Sequence, residues 1–209
     1  MTHKGPPDAD ALDELESDSD YEDGAPHEAP QETAPTESGH YRLNETAKAL
    51  AALAREGLLG NGLLKASVGM LIRQASESQH WHNCAHFRSQ DAAALIRAAN
   101  LKTAFQYQAW CRTNLRHEHV VPNSVVYKML CTQGLTEADK IAELLKNFCL
   151  RATITLEEDK KLTDAGYSSR MPEGFDLLRP TNPLARYVAV GLGDKLDKRP
   201  EGKLWHEVQ

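Results

Sequence analysis

The amino-acid sequence predicts a mainly α protein. It reads as a compact multi-helix domain over residues 41–209, with a short extended segment around His117, Glu118 and His119, preceded by a disordered acidic tail over residues 1–40. Three observations carry this. Apolar residues recur three and four positions apart through much of the chain after Tyr41, which is the period of an amphipathic helix. Helix-start residues and glycines bracket those runs. Residues 1–39 hold twelve acidic side chains against Lys4 alone, with five of the ten prolines and almost nothing bulky and apolar. A segment of that kind cannot bury enough surface to offset the entropy of ordering it.

In chain order, Leu43, Leu50 and Leu53, interleaved with alanines, predict a helix from Asn44 to Arg55 that stops near Gly57. A second helix is expected from Leu63 to Ser76, with Leu64, Val68, Leu71 and Ile72 on one face. Ser89 looks like the N-cap of a third, Gln90 to Ala99. A fourth, Lys102 to Arg112, carries Phe105, Tyr107 and Trp110. Pro122 disfavours a helical Val121, so the chain should pass from an extended piece through a turn into a helix from Ser124 to Cys131, with Asn123 as its cap. Thr136 precedes a helix to about Phe148. Thr155 followed by Glu158 reads as a capping box that opens another, which Gly166 ends. After a loop-rich stretch around Pro172, Pro180 and Pro183, a short helix from Leu184 to about Val190 is expected. No repeat of fixed period is present, which argues against a solenoid.

Composition narrows the setting. No apolar run approaches the roughly 20 residues needed to cross a bilayer. Cys84, Cys111, Cys131 and Cys149 are widely spaced without a CxxC pair, and the N-terminus has no apolar stretch of the signal-peptide kind, so a reducing, cytoplasmic compartment is expected. The net charge of -6 averages two regions of opposite sign: 1 - 12 = -11 over residues 1–39, and 23 - 18 = +5 over the rest. The tail is either a solubilising segment or an anionic mimic that competes with nucleic acid for the basic domain and tunes contact with a protein partner.

Two places concentrate chemistry. The first is His80, Trp81, His82, Asn83, Cys84, Ala85, His86, with three imidazoles and one thiol in seven residues. Such ligands suit zinc, and in an extended strand His80, His82, Cys84 and His86 would share one side. Structural zinc sites usually draw their ligands from two separated segments, so a loop whose histidines cap helices or pair with carboxylates is the competing reading. The second place is Leu115 to Asn123, containing His117, Glu118, His119, Val120, Val121 and Pro122.

Glu118, His119, Val120, Val121 and Pro122 resemble the opening of the His-Me finger, or HNH, nuclease motif: an acidic residue or histidine, then histidine, an apolar pair and proline on a strand-loop-helix element. The resemblance covers about five residues, and the family's later asparagine and final histidine have no counterpart at ordinary spacing. It implies a metal-dependent nuclease, of the kind found in bacterial mobile elements or phage-defence systems. His119 would be the general base that activates water against a phosphodiester. Glu118 would bind magnesium or manganese, with His117 as a second ligand. Asn123 would stand in for one polar role, and His82 or His86 would supply the missing imidazole. A structural zinc is the other ion the sequence allows.

The charge around the motif fits a nucleic-acid partner. Between Met70 and Lys128 seven basic residues, Arg73, Arg88, Arg97, Lys102, Arg112, Arg116 and Lys128, face three acidic ones. Of these, Arg88, Arg112, Arg116 and Lys128 are the expected phosphate contacts, with Trp81, Phe87, Tyr107 and Trp110 available for stacking or for the core. Arg170, Arg179 and Arg186, with Tyr167 and Tyr187, form a later basic cluster that the sequence does not place beside the first. The competing class is a non-catalytic regulator or inhibitor that binds nucleic acid or protein through the basic surface. In that reading His117 and His119 are helix-capping or salt-bridged residues.

Overall fold

Alanines and leucines three and four apart give the first helix, α1 (Thr36–Arg55), one apolar stripe on which Ala47, Leu50 and Ala51 are buried. The chain is described by a computed structural model over residues 36–76, 85–201, 203 and 205. It divides into two units, Met1–Thr33 and Ala34–Gln209, and every described residue belongs to the second. The expected tail up to residue 35, and His80 to Cys84, lie outside the described residues. Helix α1 begins at Thr36 rather than at Asn44, so it crosses the position where the sequence placed the domain boundary. Residues 36–42 lack apolar periodicity, which hid this turn from the pattern.

The expected Leu63 to Ser76 helix divides into a 3-10 turn, Gly62–Leu64, and α2 (Lys65–Ser76). Asn61 caps the turn by accepting from the Leu63 amide at 2.9 Å. Helices α3 (Gln90–Ala99), α4 (Ala104–Asn114), α5 (Asn123–Gln133), α6 (Ala138–Phe148), α7 (Leu156–Asp164) and α8 (Ala185–Ala189) follow, and the fold is mainly α, as the sequence predicts. Ser89 caps α3 at Ala92, and Asn100 closes it in the left-handed region that a short polar side chain tolerates. Thr155 and Glu158 form the expected capping box on α7. Asn123 does not cap α5. Pro122 takes that position, its carbonyl accepting from Val125 and Val126, and Asn123 is already inside the first turn, where its side chain makes no cap bond.

The sheet was legible in the sequence only at one strand. Among the described residues there are four, β1 (Phe87–Ser89), β2 (Leu115–His119), β3 (Arg151–Thr155) and β4 (Leu196–Lys198), in spatial order β2-β3-β1-β4. Strand β3 runs antiparallel to β2 and parallel to β1, and β4 closes the edge antiparallel to β1. All five residues of β3 are buried, as expected for a strand covered on both faces.

Three apolar clusters hold these elements. Helices α1, α2, α5 and α6 share the largest, in which Ile141, Leu144, Leu145 and Phe148 present the i, i+3, i+4, i+7 face of α6. One sheet face packs Ala152 and Ile154 against Leu162 of α7 and Tyr187 of α8. Leu115 joins Ala92, Ile96, Tyr107 and Cys111 of α3 and α4 in the third. Val120 and Val121, the apolar pair of the motif, enter the second and first clusters respectively. That junction fixes where β2 ends and therefore where His119 stands.

Candidate functional site

Strand alternation divides the His117, Glu118, His119 motif between two surfaces. Successive strand residues point to opposite faces, and directly paired residues point to the same one. The register pairs His119 with Arg151 and His117 with Thr153, while Arg88 of β1 lies opposite Thr153. One face therefore carries His117, His119, Arg151, Thr153 and Arg88; the other carries Arg116 and Glu118.

On the second face Glu118 is engaged by a buried cation. Arg186 of α8 is 0% exposed and donates from Nη2 to Glu118 Oε2 at 2.8 Å. The same guanidinium donates to the carbonyls of Val120 at 3.0 Å, Tyr167 at 2.7 Å and Ser168 at 3.4 Å, and to that of His119. Such a planar fork, filled on every side, ties the end of β2 to α8 and to the loop after α7. Arg116, next to it, pairs with Asp159 of α7 at 3.3 Å.

On the first face His119 Nε2 lies 3.3 Å from Oγ of Ser76, the last residue of α2. Arg151, 7% exposed, donates from Nε to that oxygen at 3.2 Å. Burial, followed by the positive charge of Arg151, His117, Arg73 and Arg186, holds the His119 imidazole well below its ordinary pKa. It is therefore neutral at pH 7, and the same burial and positive charge oppose its protonation. His86 shares the face. Its Nδ1 accepts from the Arg151 amide at 3.0 Å and its own amide donates to the Arg151 carbonyl at 2.9 Å, continuing the ladder between β1 and β3. Burial, then Arg199, Arg151 and Lys198, lowers its pKa to about 4. Accepting at Nδ1 puts the proton of this neutral ring on Nε2.

Several residues expected at the site stand elsewhere. Arg88, read as a phosphate contact, is 5% exposed, with its guanidinium 4.1 Å from the centre of the Trp205 ring. An alternating strand position under α4 took it inside. Tyr107 is core, Phe87 and Trp110 pack against core clusters, and Arg112 and Lys128 are exposed on α4 and α5. Asn123 is half-buried, with Oδ1 making no hydrogen bond. His82 lies outside the described residues.

Fit to a divalent ion follows from these contacts. Among the described residues no three of His, Cys, Asp and Glu gather within reach of one ion. Glu118, the expected ligand, has an oxygen on Arg186, projects away from His119, and would leave a buried guanidinium unpaired if it turned to a metal. The described residues do not supply the ligand set that the resemblance implies.

Ser76 and Arg151 were not singled out in the sequence, and Arg73 counted there only as charge. A usable signal for Arg151 exists: Arg151–Thr155 alternates polar and apolar residues and is rich in β-branched ones, a strand pattern that places Arg151, Thr153 and Thr155 on one face. Ser76 is reached only through the tertiary packing of α2 on the sheet end. No protein-family model, curated protein or solved structure matches the chain.

Proposed function

We propose that this protein is a hydrolase of phosphodiesters in DNA or RNA in which His119 is the general base. The observation that supports this is a neutral, half-buried imidazole at the end of β2 with arginines around it. A base must be unprotonated at working pH to take a proton, and the negative charge of a bound phosphodiester, which arginine side chains attract and hold, offsets the cations that disfavour the imidazolium. Arg73, exposed on α2, supplies that charge on the His119 side with donors that match phosphate oxygens, while Arg151, 7% exposed, adds its positive field from inside. As the attack proceeds, charge builds on the phosphoryl oxygens, and fixed cations in a partly desolvated site stabilise it.

The test is cleavage of labelled single- and double-stranded DNA and RNA by the full chain, with magnesium, manganese or a chelator present, alongside His119→Ala. Cleavage that falls about 100-fold or more in the variant is the expected outcome, in line with the usual contribution of a general base. Equal rates for the two proteins would overturn it. The metal arms report on whether an ion takes part.

A second reading is favoured by a different observation. The Glu118 carboxylate is held by the buried Arg186, which gives the motif a structural role and suits a non-catalytic regulator that binds nucleic acid or protein. That reading predicts salt-sensitive binding unaffected by His119→Ala.

A further inference from the structure

A hydroxyl lies within reach of His119 Nε2, and this gives the base a partner. Ser76 Oγ is 3.3 Å away, a little beyond the usual hydrogen-bond range for a nucleophile and its base, and within the looser distances seen before substrate is present. From the geometry we infer that Ser76 is the nucleophile of this site and that cleavage passes through a phosphoserine. The inference rests on the reading of His119 as the base.

The Ser76 hydroxyl proton moves to His119 Nε2 while Oγ forms a bond to phosphorus. The bond from phosphorus to the leaving oxygen breaks, and that oxygen takes the proton from the imidazolium. Water then gives a proton to His119, its oxygen attacks phosphorus, and the bond to Oγ breaks as Ser76 regains the proton. The net change is hydrolysis of one phosphodiester by one water.

Local electrostatics act in both directions. Ser76 ends α2, and the negative end of a helix dipole disfavours an anion there. Arg151 opposes this, because its Nε donates directly to Oγ at 3.2 Å and a charge-assisted hydrogen bond is stronger than the field of a helix end. The arginine outweighs the dipole. Among the described residues the hydroxyl proton has two acceptors, the Arg73 carbonyl at 2.9 Å and His119 Nε2 at 3.3 Å. Given to Arg73, it leaves Ser76 as a closed structural link that accepts from Arg151 and from a His119 protonated at Nε2. Given to His119, it primes the pair for attack, and the tautomer of the imidazole decides between them.

A fluorophosphonate separates the two arrangements without any knowledge of the natural substrate, since an activated serine displaces fluoride from phosphorus. The full chain is treated with the reagent and the adduct mapped by mass spectrometry. We expect modification at Ser76, slowed at least tenfold in His119→Ala. Absence of a Ser76 adduct in the wild-type chain would overturn the inference. Cleavage by Ser76→Ala at the wild-type rate would also overturn it, while leaving His119 as the base toward water. A His119-dependent adduct at Ser76 without cleavage of DNA or RNA would support the nucleophile and refute the proposed substrate class.

Discussion

The two faces of the small sheet treat neighbouring residues of one motif differently. Glu118 points to the side where α7 and α8 pack, and Arg186 meets it there with further bonds to four carbonyls. His119, the next residue, points to the side where α2 ends, and meets a hydroxyl and an arginine that bonds to it. One face ties a strand to two later segments, whereas the other keeps a neutral imidazole among cations. Adjacency in sequence therefore separates function in a strand, and a motif read as a unit has to be divided by its pleat before roles are assigned.

The largest expected effect breaks the structural face. Arg186→Ala removes the donors that hold the carbonyls of Val120, Tyr167, Ser168 and His119, and leaves Glu118 without its partner. We expect a loss of about 3–5 kcal/mol, the usual result of deleting one member of a buried ion pair, read by denaturant unfolding. A loss below about 1 kcal/mol would show that the guanidinium does not organise this face.

Acid sharpens the comparison from the other side. His86 and His119 are both held neutral by burial and by surrounding arginines, whereas an unfolded imidazole takes up its proton near pH 6.5. Their folded pKa values are depressed, so their contribution to stability is fully present above about pH 6.5 and is lost as the pH falls toward the folded values, about 4 for His86. The unfolding temperature should drop across that interval. His86→Asn, which keeps an acceptor for the Arg151 amide and cannot be protonated, should flatten the drop. An unchanged slope would contradict the assignment.

The smallest effect is expected at the rim. Arg116 and Asp159 form an ion pair with Arg116 52% exposed, and such pairs contribute about 0.2–1 kcal/mol. Arg116→Ala should therefore shift stability within that range and leave His119 undisturbed, since the two side chains project to opposite faces. A loss of cleavage equal to that of His119→Ala would mean that the faces are not independent.

Local signals account for what could be read in the sequence. Helices α3 and α7 follow from Ser89 and from the Thr155 and Glu158 box, because a cap is a short-range hydrogen bond. The stripe of Ile141, Leu144, Leu145 and Phe148 follows from helical period. Strands β1 and β4 are three residues each, too short to show alternation, and β3 alternates polar and apolar residues over only five positions. Of the candidate site, His117, Glu118 and His119 were found by composition. Arg186, 68 positions from Glu118, was visible only as a basic residue of no fixed place, and Ser76, 43 positions from His119, gave no local sign at all. Those meetings are tertiary.

We propose that the chemistry of the motif belongs to His119 and its architecture to Glu118. This division is tested most directly by comparing His119→Ala and Glu118→Gln in one cleavage assay, with each rate normalised to the folded fraction from unfolding of the same preparation. We expect His119→Ala to fold and lose cleavage, and Glu118→Gln to be destabilised and keep the wild-type rate per folded molecule. Full activity in folded His119→Ala, with activity lost in folded Glu118→Gln, would contradict it.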